Sequence, residues 1–508
     1  MNLRRSLSAT LLLTFVVAAC DSEPPPKVPR TEEAPPKQTE PPRKAMQGKL
    51  VTYKNGEKVG GETWSDDGST LKSELTLLGE KTTLTVARAA KKASVEIEGK
   101  SMDVEIPDGA IVLENGSWQS LGAAAEAYAK ATSPTPVKVV VPAAGAVVDG
   151  TIKVRSTDKA GRHVELELDK VALSAEVDAD GRVLRVSVPS QDVEVRREGD
   201  PAPERKAPPQ RPAPDSVAEE LVEVTRGPVT IRGTLWTPKA AKGPVPVALV
   251  IAGSGPTNRD GNSPVGLKSD SYRLLAEALA AKGIATLRYD KRGTGDSSLS
   301  FDVTAMTADD MVGDAAAFLP KLADRGRFSK VTVVGHSEGG LLGLLLAGTT
   351  KLDGLVLVAT GGRPLRAIIK EQLSSKVDAA TMAEVDRLLN DLAAGKPLEN
   401  VPPGLAPLFN PSSAAYLKSE IDIDPVAKLK ALTLPVTVVQ GETDVQVSVD
   451  DAKRLGAARK GVKVVVLPKV NHLLKTEAAR SLPQASYGDP SWPIAPSAVD
   501  AIAAGIVR

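Results

Sequence analysis

Val331-Thr332-Val333-Val334-Gly335-His336-Ser337-Glu338-Gly339-Gly340-Leu341-Leu342-Gly343-Leu344-Leu345-Leu346 decides the fold of this chain. A short β-favouring, mostly apolar run ends at Gly335, and a leucine-rich helical run begins six residues later at Leu341. The stretch reads as strand, sharp turn, helix, with Ser337 at the apex. The flanking glycines fit a place where strand and helix nearly touch and a Cβ would collide. Such a turn exposes the serine hydroxyl at a helix N-terminus, where backbone N–H groups face any developing negative charge. By itself the pattern is also that of an ordinary glycine-rich turn, so the surrounding sequence must decide.

Outward from this point the pattern alternates strand and helix. Val245 to Ile251 is a near-continuous apolar run, as in a parallel strand covered on both faces. Tyr272 to Lys282 is helical and stops at Gly283, and Ile284 to Tyr289 is the next strand. Asp309 to Leu322 is helical. Leu355 to Val358, Val436 to Val439 and Val462 to Leu467 are further strands. The spacing predicts a doubly wound, mostly parallel α/β sheet over residues 217–508. Between Val358 and Val436 lies an insertion, about 361–430. Its segments Arg366–Val377 and Thr381–Ala394 are helical, which predicts a cap over the strand ends. Leu405, Leu408, Phe409 and Tyr416 are candidates both for an acyl pocket and for packing the cap onto the core.

A serine hydroxyl needs a base to be a nucleophile at neutral pH. The chain has only three histidines. His163 lies in another block, and His336 adjoins the serine on the strand, pointing away from it. His472, just after the last strand, remains. A histidine base needs a carboxylate to fix its tautomer. Asp444, in the loop after the penultimate strand, is the choice; Glu442 and Asp450 are competitors. The chain order is then Ser337, Asp444, His472, with each residue in a loop at the carboxyl end of a strand. An oxyanion needs two N–H donors. Glu338 supplies one from its backbone. Ser254, in Ala252-Gly253-Ser254-Gly255-Pro256, is expected to supply the other, with Gly253 and Gly255 as alternatives.

These pieces resemble the α/β-hydrolase family of bacterial esterases and acyl hydrolases. The resemblance is carried by Gly253-Ser254-Gly255-Pro256, Asn258-Arg259-Asp260-Gly261, Arg288 to Ser297, the turn at Gly335–Gly340 and the two loops bearing Asp444 and His472. It covers nearly all of residues 230–475 and implies cleavage of esters or thioesters through an acyl-enzyme. It implies a small-molecule acyl ester substrate and no metal or cofactor. The chain departs from the commonest pattern at Ala252, where many members have histidine. Arg288 to Ser297 is read as a structural loop in which Arg292 and Asp290 pair. Arg259 and Asp260 are read as a structural ion pair or as contacts for an acidic substrate. A peptidase or an acyltransferase would use the same triad. A non-catalytic envelope binding protein, working through its other domain, is the rival from a different class.

That other domain, residues 45–198, reads as strands joined by turns at Asn55-Gly56, Asp66-Asp67-Gly68 and Asp180-Gly181. Val164-Glu165-Leu166-Glu167-Leu168 alternates cleanly, and Leu121 to Lys130 is helical. A mainly antiparallel sheet or open barrel follows. His163 is an ordinary surface histidine there, and no catalytic constellation is visible. A Pro-rich linker, 199–216, separates the two domains.

The chain has 508 residues, room for two or three domains. Its net charge of +1 and 3% aromatic content offer neither an electrostatic footprint nor a stacking surface for nucleic acid. The single cysteine is Cys20. Before it stand a basic Arg4-Arg5 and an apolar run, Leu11 to Val17, too short to span a bilayer. The segment resembles a bacterial lipoprotein signal: residues 1–19 removed, Cys20 lipidated, 20–44 a Pro-rich tether. The expectation is an envelope protein held on a membrane through Cys20.

Overall fold

The computed structural model describes residues 45–508, apart from 78–79, 98–99, 115, 158–160, 169–170, 205–210, 264–266, 299–300, 375, 403, 407 and 479–483. The expected signal, Cys20 and the tether lie outside the described residues. The described residues divide into two compact units, one on each side of the boundary between 206 and 207.

The first unit is built on one sheet of 13 strands. Six strands from Met46–Lys54 to Lys100–Glu105 follow one another in chain order. The last strand, Val193–Arg197, returns to pair antiparallel with the first, Leu50 opposite Arg197. The remaining strands extend the sheet on its other side. All neighbours are antiparallel except Ile111–Val112 beside Thr135–Val141. Alternation drives this: Val164, Leu166 and Leu168 are buried, while Glu165 and Glu167 between them are not. The expected helix is Ser120–Ala127, and it buries Leu121, Ala124 and Ala125. His163 is half-exposed, 3.8 Å from Glu165.

One buried carboxylate pins that helix. Glu62 accepts the N–H groups of Trp118 (2.8 Å) and Gln119 (3.0 Å) and the Ser73 hydroxyl (2.6 Å). Burial pushes its pKa up, from 4.5 to about 7, against the pull of these hydrogen bonds. A carboxyl whose pKa is raised on folding binds its proton more tightly in the native state. The stability this gives is complete below pH 4.5 and is lost as pH rises through about 7. The first unit is therefore expected to lose on the order of 3 kcal/mol between pH 4 and pH 8 through this group. Glu62→Gln keeps an acceptor for the two amides and a donor for the seryl oxygens. Urea unfolding of the full chain at both pH values should show that the variant loses most of this dependence. The same dependence in both proteins would refute the assignment.

The second unit carries an eight-stranded sheet. Its strands, numbered within this unit, are β1 Val217–Arg226, β2 Val229–Pro238, β3 Val245–Ile251, β4 Ala285–Tyr289, β5 Phe328–His336, β6 Gly354–Val358, β7 Val436–Gly441 and β8 Lys463–Leu467. The order is β1-β2-β4-β3-β5-β6-β7-β8, antiparallel at β1 and β2 and parallel thereafter. The antiparallel pair extends the sheet beyond the strands predicted from apolar runs. Its outer strand buries only Val217 and Val222, and residues 218–221 and Glu223 are exposed. Residues 211–213 lie on this unit as well: Arg211 pairs with Asp270 (2.7 Å), and Arg273 holds the carbonyl of Pro212.

Strand alternation sorts the core into two layers. Val247, Leu249 and Ile251 of β3 face one cluster; Ala248 and Val250 face the other. The first cluster takes in α2 Ala308–Phe318 and α3 Glu338–Thr349, and the second takes in α1 Ser271–Ala281 and, at the end of the chain, Pro496–Val507. Between β6 and β7 the insertion forms α4 Leu365–Ser374, α5 Ala379–Ala394, α6 Ala414–Glu420 and α7 Pro425–Lys430. Leu405 and Phe409 are buried with Val385, Leu388, Leu389 and Leu392 of α5, so they pack the cap itself. Tyr416 joins the core of the sheet. This unit has the α/β-hydrolase fold with a helical cap. Among the described residues no helix is long and apolar enough to cross a membrane.

Candidate active site

β3 and β5 are neighbours, but the chain leaves β3 toward β4 on one side and reaches β5 on the other. Their carboxyl ends thus border the crevice where an open sheet switches direction. Ile251 ends β3 opposite Gly335 of β5, so the loop after β3 starts beside Ser337.

Ser337 has φ 56° and ψ −122°, between the end of β5 and the start of α3. A non-glycine residue there carries strain of about 1–3 kcal/mol, which the surroundings must hold. They do so by contact. A Cβ on Gly339 would sit 2.2 Å from the carbonyl oxygen of Ile251. The Ser337 N–H is fixed by the carbonyl of Val358 on β6 (2.8 Å).

His472 and Asp444 come together from two loops. Backbone bonds from Glu442 to Leu467 (2.9 Å) and from Thr443 to Val470 (3.1 Å) tie the loops after β7 and β8. His472 Nδ1 lies 2.8 Å from Asp444 Oδ2, and both side chains are buried. The Asp444 carboxylate also accepts Gln440 Nε2 (3.0 Å) and the N–H groups of Gln446 (2.8 Å) and Val447 (3.0 Å). Burial raises the Asp444 pKa, but the charge and hydrogen bond of His472 and the two amides outweigh it, leaving the carboxyl below its usual value. An ionised acceptor at Nδ1 keeps the proton there and leaves Nε2 as the basic nitrogen. Glu442 and Asp450 are exposed, and Asp450 pairs with Lys453.

His336 holds this arrangement together rather than acting as a base. The Gly253 N–H donates to Tyr272 Oη (3.1 Å), which lies 2.9 Å from His336 Nδ1. His336 Nε2 is 2.8 Å from the carbonyl of His472. Burial raises the Tyr272 phenol and keeps it protonated. Burial, and then the charge of His472, push His336 down to about 3, so it is neutral. The proton order is then fixed: Tyr272 donates to Nδ1, and Nε2–H donates to the carbonyl of His472. The rings of His336 and His472 stand 4.8 Å apart.

Gly253 lies against the turn: a Cβ on it would come within 3.1 Å of the Ser337 Cβ. Among the described residues the N–H groups of Ser254 and Glu338 make no hydrogen bond. Glu338 follows Ser337 in the chain, and Ser254 follows Gly253. The expected pairing of Arg292 with Asp290 is corrected by the structure. Asp290 takes Arg259 (2.6 Å) and the N–H of Asp296 (2.8 Å), and the loop wraps around its carboxylate. Arg292 instead reaches Asp314 of α2 (2.7 Å). Asp260 pairs with Arg288, whose guanidinium stacks on Trp236 at 4.2 Å. Arg259 and Asp260 therefore belong to the framework under the loop. Tyr272, His336, Lys291 and Gln440 were not assigned to the site from sequence. No spacing marks Tyr272 or Gln440, and the signal for Lys291 was only its place beside two glycine turns.

Residues 265–400 match the Hydrolase_4 family, described as serine aminopeptidase, S33. That span includes Ser337 but not Asp444 or His472. The chain is 32% identical over 275 residues to Esterase EstD of Thermotoga maritima, covering 53% of this chain and 63% of that protein. It thus spans less than two thirds of that relative. Among solved structures, ferulic acid-bound Est1E from Butyrivibrio proteoclasticus is 19% identical, with a TM-score of 0.35, covering 50% of this chain and 91% of that one. The thioesterase domain from the curacin biosynthetic pathway is 17% identical, with a TM-score of 0.35, covering 57% and 100%.

Proposed function

We propose that this chain is a serine hydrolase that cleaves carboxylic esters or thioesters through an acyl-enzyme. The observation that carries the reading is the 2.8 Å bond from His472 Nδ1 to a buried, multiply hydrogen-bonded Asp444, in an α/β-hydrolase fold that strains Ser337 at its turn. Ser337 Oγ attacks the carbonyl carbon as His472 Nε2 takes its proton. The oxyanion is held by the N–H groups of Ser254 and Glu338. His472 then protonates the leaving alcohol, and the C–O bond breaks. Water, deprotonated by His472, releases the acid and restores Ser337.

The aminopeptidase in the family description is the second reading. A free α-amino group calls for a carboxylate at the site. Glu338, next to Ser337, already pairs with Lys291 at 3.1 Å, which favours a neutral ester. The place of action is the envelope, with the chain anchored through Cys20; this rests on the sequence of residues 1–20. One experiment covers both points: membrane and soluble fractions of wild type and Cys20→Ser assayed on p-nitrophenyl esters, a thioester and an aminoacyl anilide. Ester cleavage is expected in the membrane fraction for wild type and in the soluble fraction for the variant. Cleavage of the anilide alone would overturn the esterase, and an unchanged partition would overturn the anchor.

A further inference from the structure

We infer that Lys291 and Tyr272 are positioning residues that hold Gly253 by its carbonyl and its N–H so that the Ser254 N–H faces the oxyanion. The inference rests on the serine hydrolase reading and concerns how one of its parts is built.

Glycine has no side chain to anchor it, so Gly253 is held through its backbone alone. Its N–H donates to Tyr272 Oη (3.1 Å), and its carbonyl accepts Lys291 Nζ (2.6 Å). The carbonyl of Gly253 and the N–H of Ser254 belong to one planar trans unit and point in opposite directions. A donor that fixes that carbonyl inward thereby turns the Ser254 N–H outward. The next carbonyls are fixed as well: that of Ser254 accepts the Thr257 hydroxyl (3.3 Å), and that of Gly255 lies 3.4 Å from the same Lys291 Nζ. Glycines at 253 and 255 would otherwise let this loop sample many conformations.

Lys291 also joins the two halves of the oxyanion site. Its ammonium is 3.1 Å from Glu338 Oε2, and Glu338 is the residue whose N–H is the second donor. Side chains of Lys291 and Glu338 are only 5% and 11% exposed, so this is an ion pair in a low-dielectric place. Glu420, at the end of α6 in the cap, completes the cluster. Burial and then the charge of Glu338 raise its carboxyl well above the usual range, against the pull of Lys291. Glu420 therefore holds its proton more tightly than an ordinary glutamate.

Rates on p-nitrophenyl acetate and its thionoester separate this role from a merely structural one. Sulfur is a weak hydrogen-bond acceptor, so an intact oxyanion site favours the oxygen ester over the thionoester. Lys291→Met is expected to lower kcat on the oxygen ester about 100-fold and Tyr272→Phe about tenfold, with KM little changed. Both should reduce the ester-to-thionoester ratio severalfold, because the thionoester has less to lose. An unchanged ratio in either folded variant overturns the inference, including the case where Tyr272→Phe lowers both rates equally by disturbing His336. Should Lys291→Met not fold, Tyr272→Phe, which removes one oxygen, decides alone. Hydrolysis retained by Ser337→Ala would instead defeat the serine hydrolase reading itself.

Discussion

Ser337→Ala is expected to lower kcat on a p-nitrophenyl ester by about 10⁴- to 10⁶-fold while leaving the fold intact. The size follows from the mechanism: without Oγ no acyl-enzyme forms, and water must attack with only the oxyanion donors to help. The intact fold follows from geometry. Alanine has the same Cβ, so the strain at φ 56° and the contacts of the turn are unchanged. No hydrogen bond from the Ser337 hydroxyl is lost among the described residues. Melting temperature and circular dichroism should match wild type. A variant that retains a tenth or more of the wild-type rate would place the nucleophile elsewhere.

Asp444→Asn is expected to lower kcat by about 10⁴-fold with KM little changed. Asp444 Oδ1 accepts the amides of Gln446 and Val447, so the single oxygen of asparagine must stay on that side. Its amino group then faces His472 Nδ1 and Gln440 Nε2, where Oδ2 had been an acceptor. His472 can meet a donor only by leaving Nδ1 unprotonated, which puts its proton on Nε2, the nitrogen that must accept from Ser337. The base is thus present in the wrong tautomer. Nitrogen-15 chemical shifts of His472 should show the proton at Nδ1 in wild type and at Nε2 in the variant. Full activity in Asp444→Asn would point to a different acid, with Glu442 the nearest on the loop.

The parallel strands were legible in the sequence because a strand covered on both faces must be apolar throughout, as Val245–Ile251 is. The turn at Ser337 was legible because its steric demand writes glycines on both sides. His472 stands out as a candidate base because histidines are so few. The antiparallel β1 and β2 were less legible: β1 is exposed along much of its length, and neither forms an unbroken apolar run. The supports of the site escaped for a different reason. Tyr272 and Lys291 act on backbone groups of Gly253 from 19 and 38 residues away, and a hydrogen bond to a peptide leaves no mark on residue type. The ion pairs around Asp290 show the same limit. Local sequence offered Arg292, but the fold brought Arg259 from an earlier loop.

The most direct measurement is the mass of the protein and its peptides after reaction with a fluorophosphonate. One adduct per chain on the peptide containing Ser337, absent in Ser337→Ala and strongly slowed in His472→Ala, is the predicted result. An unlabelled wild type that is shown to be folded, or an adduct on another residue that persists in Ser337→Ala, would contradict it.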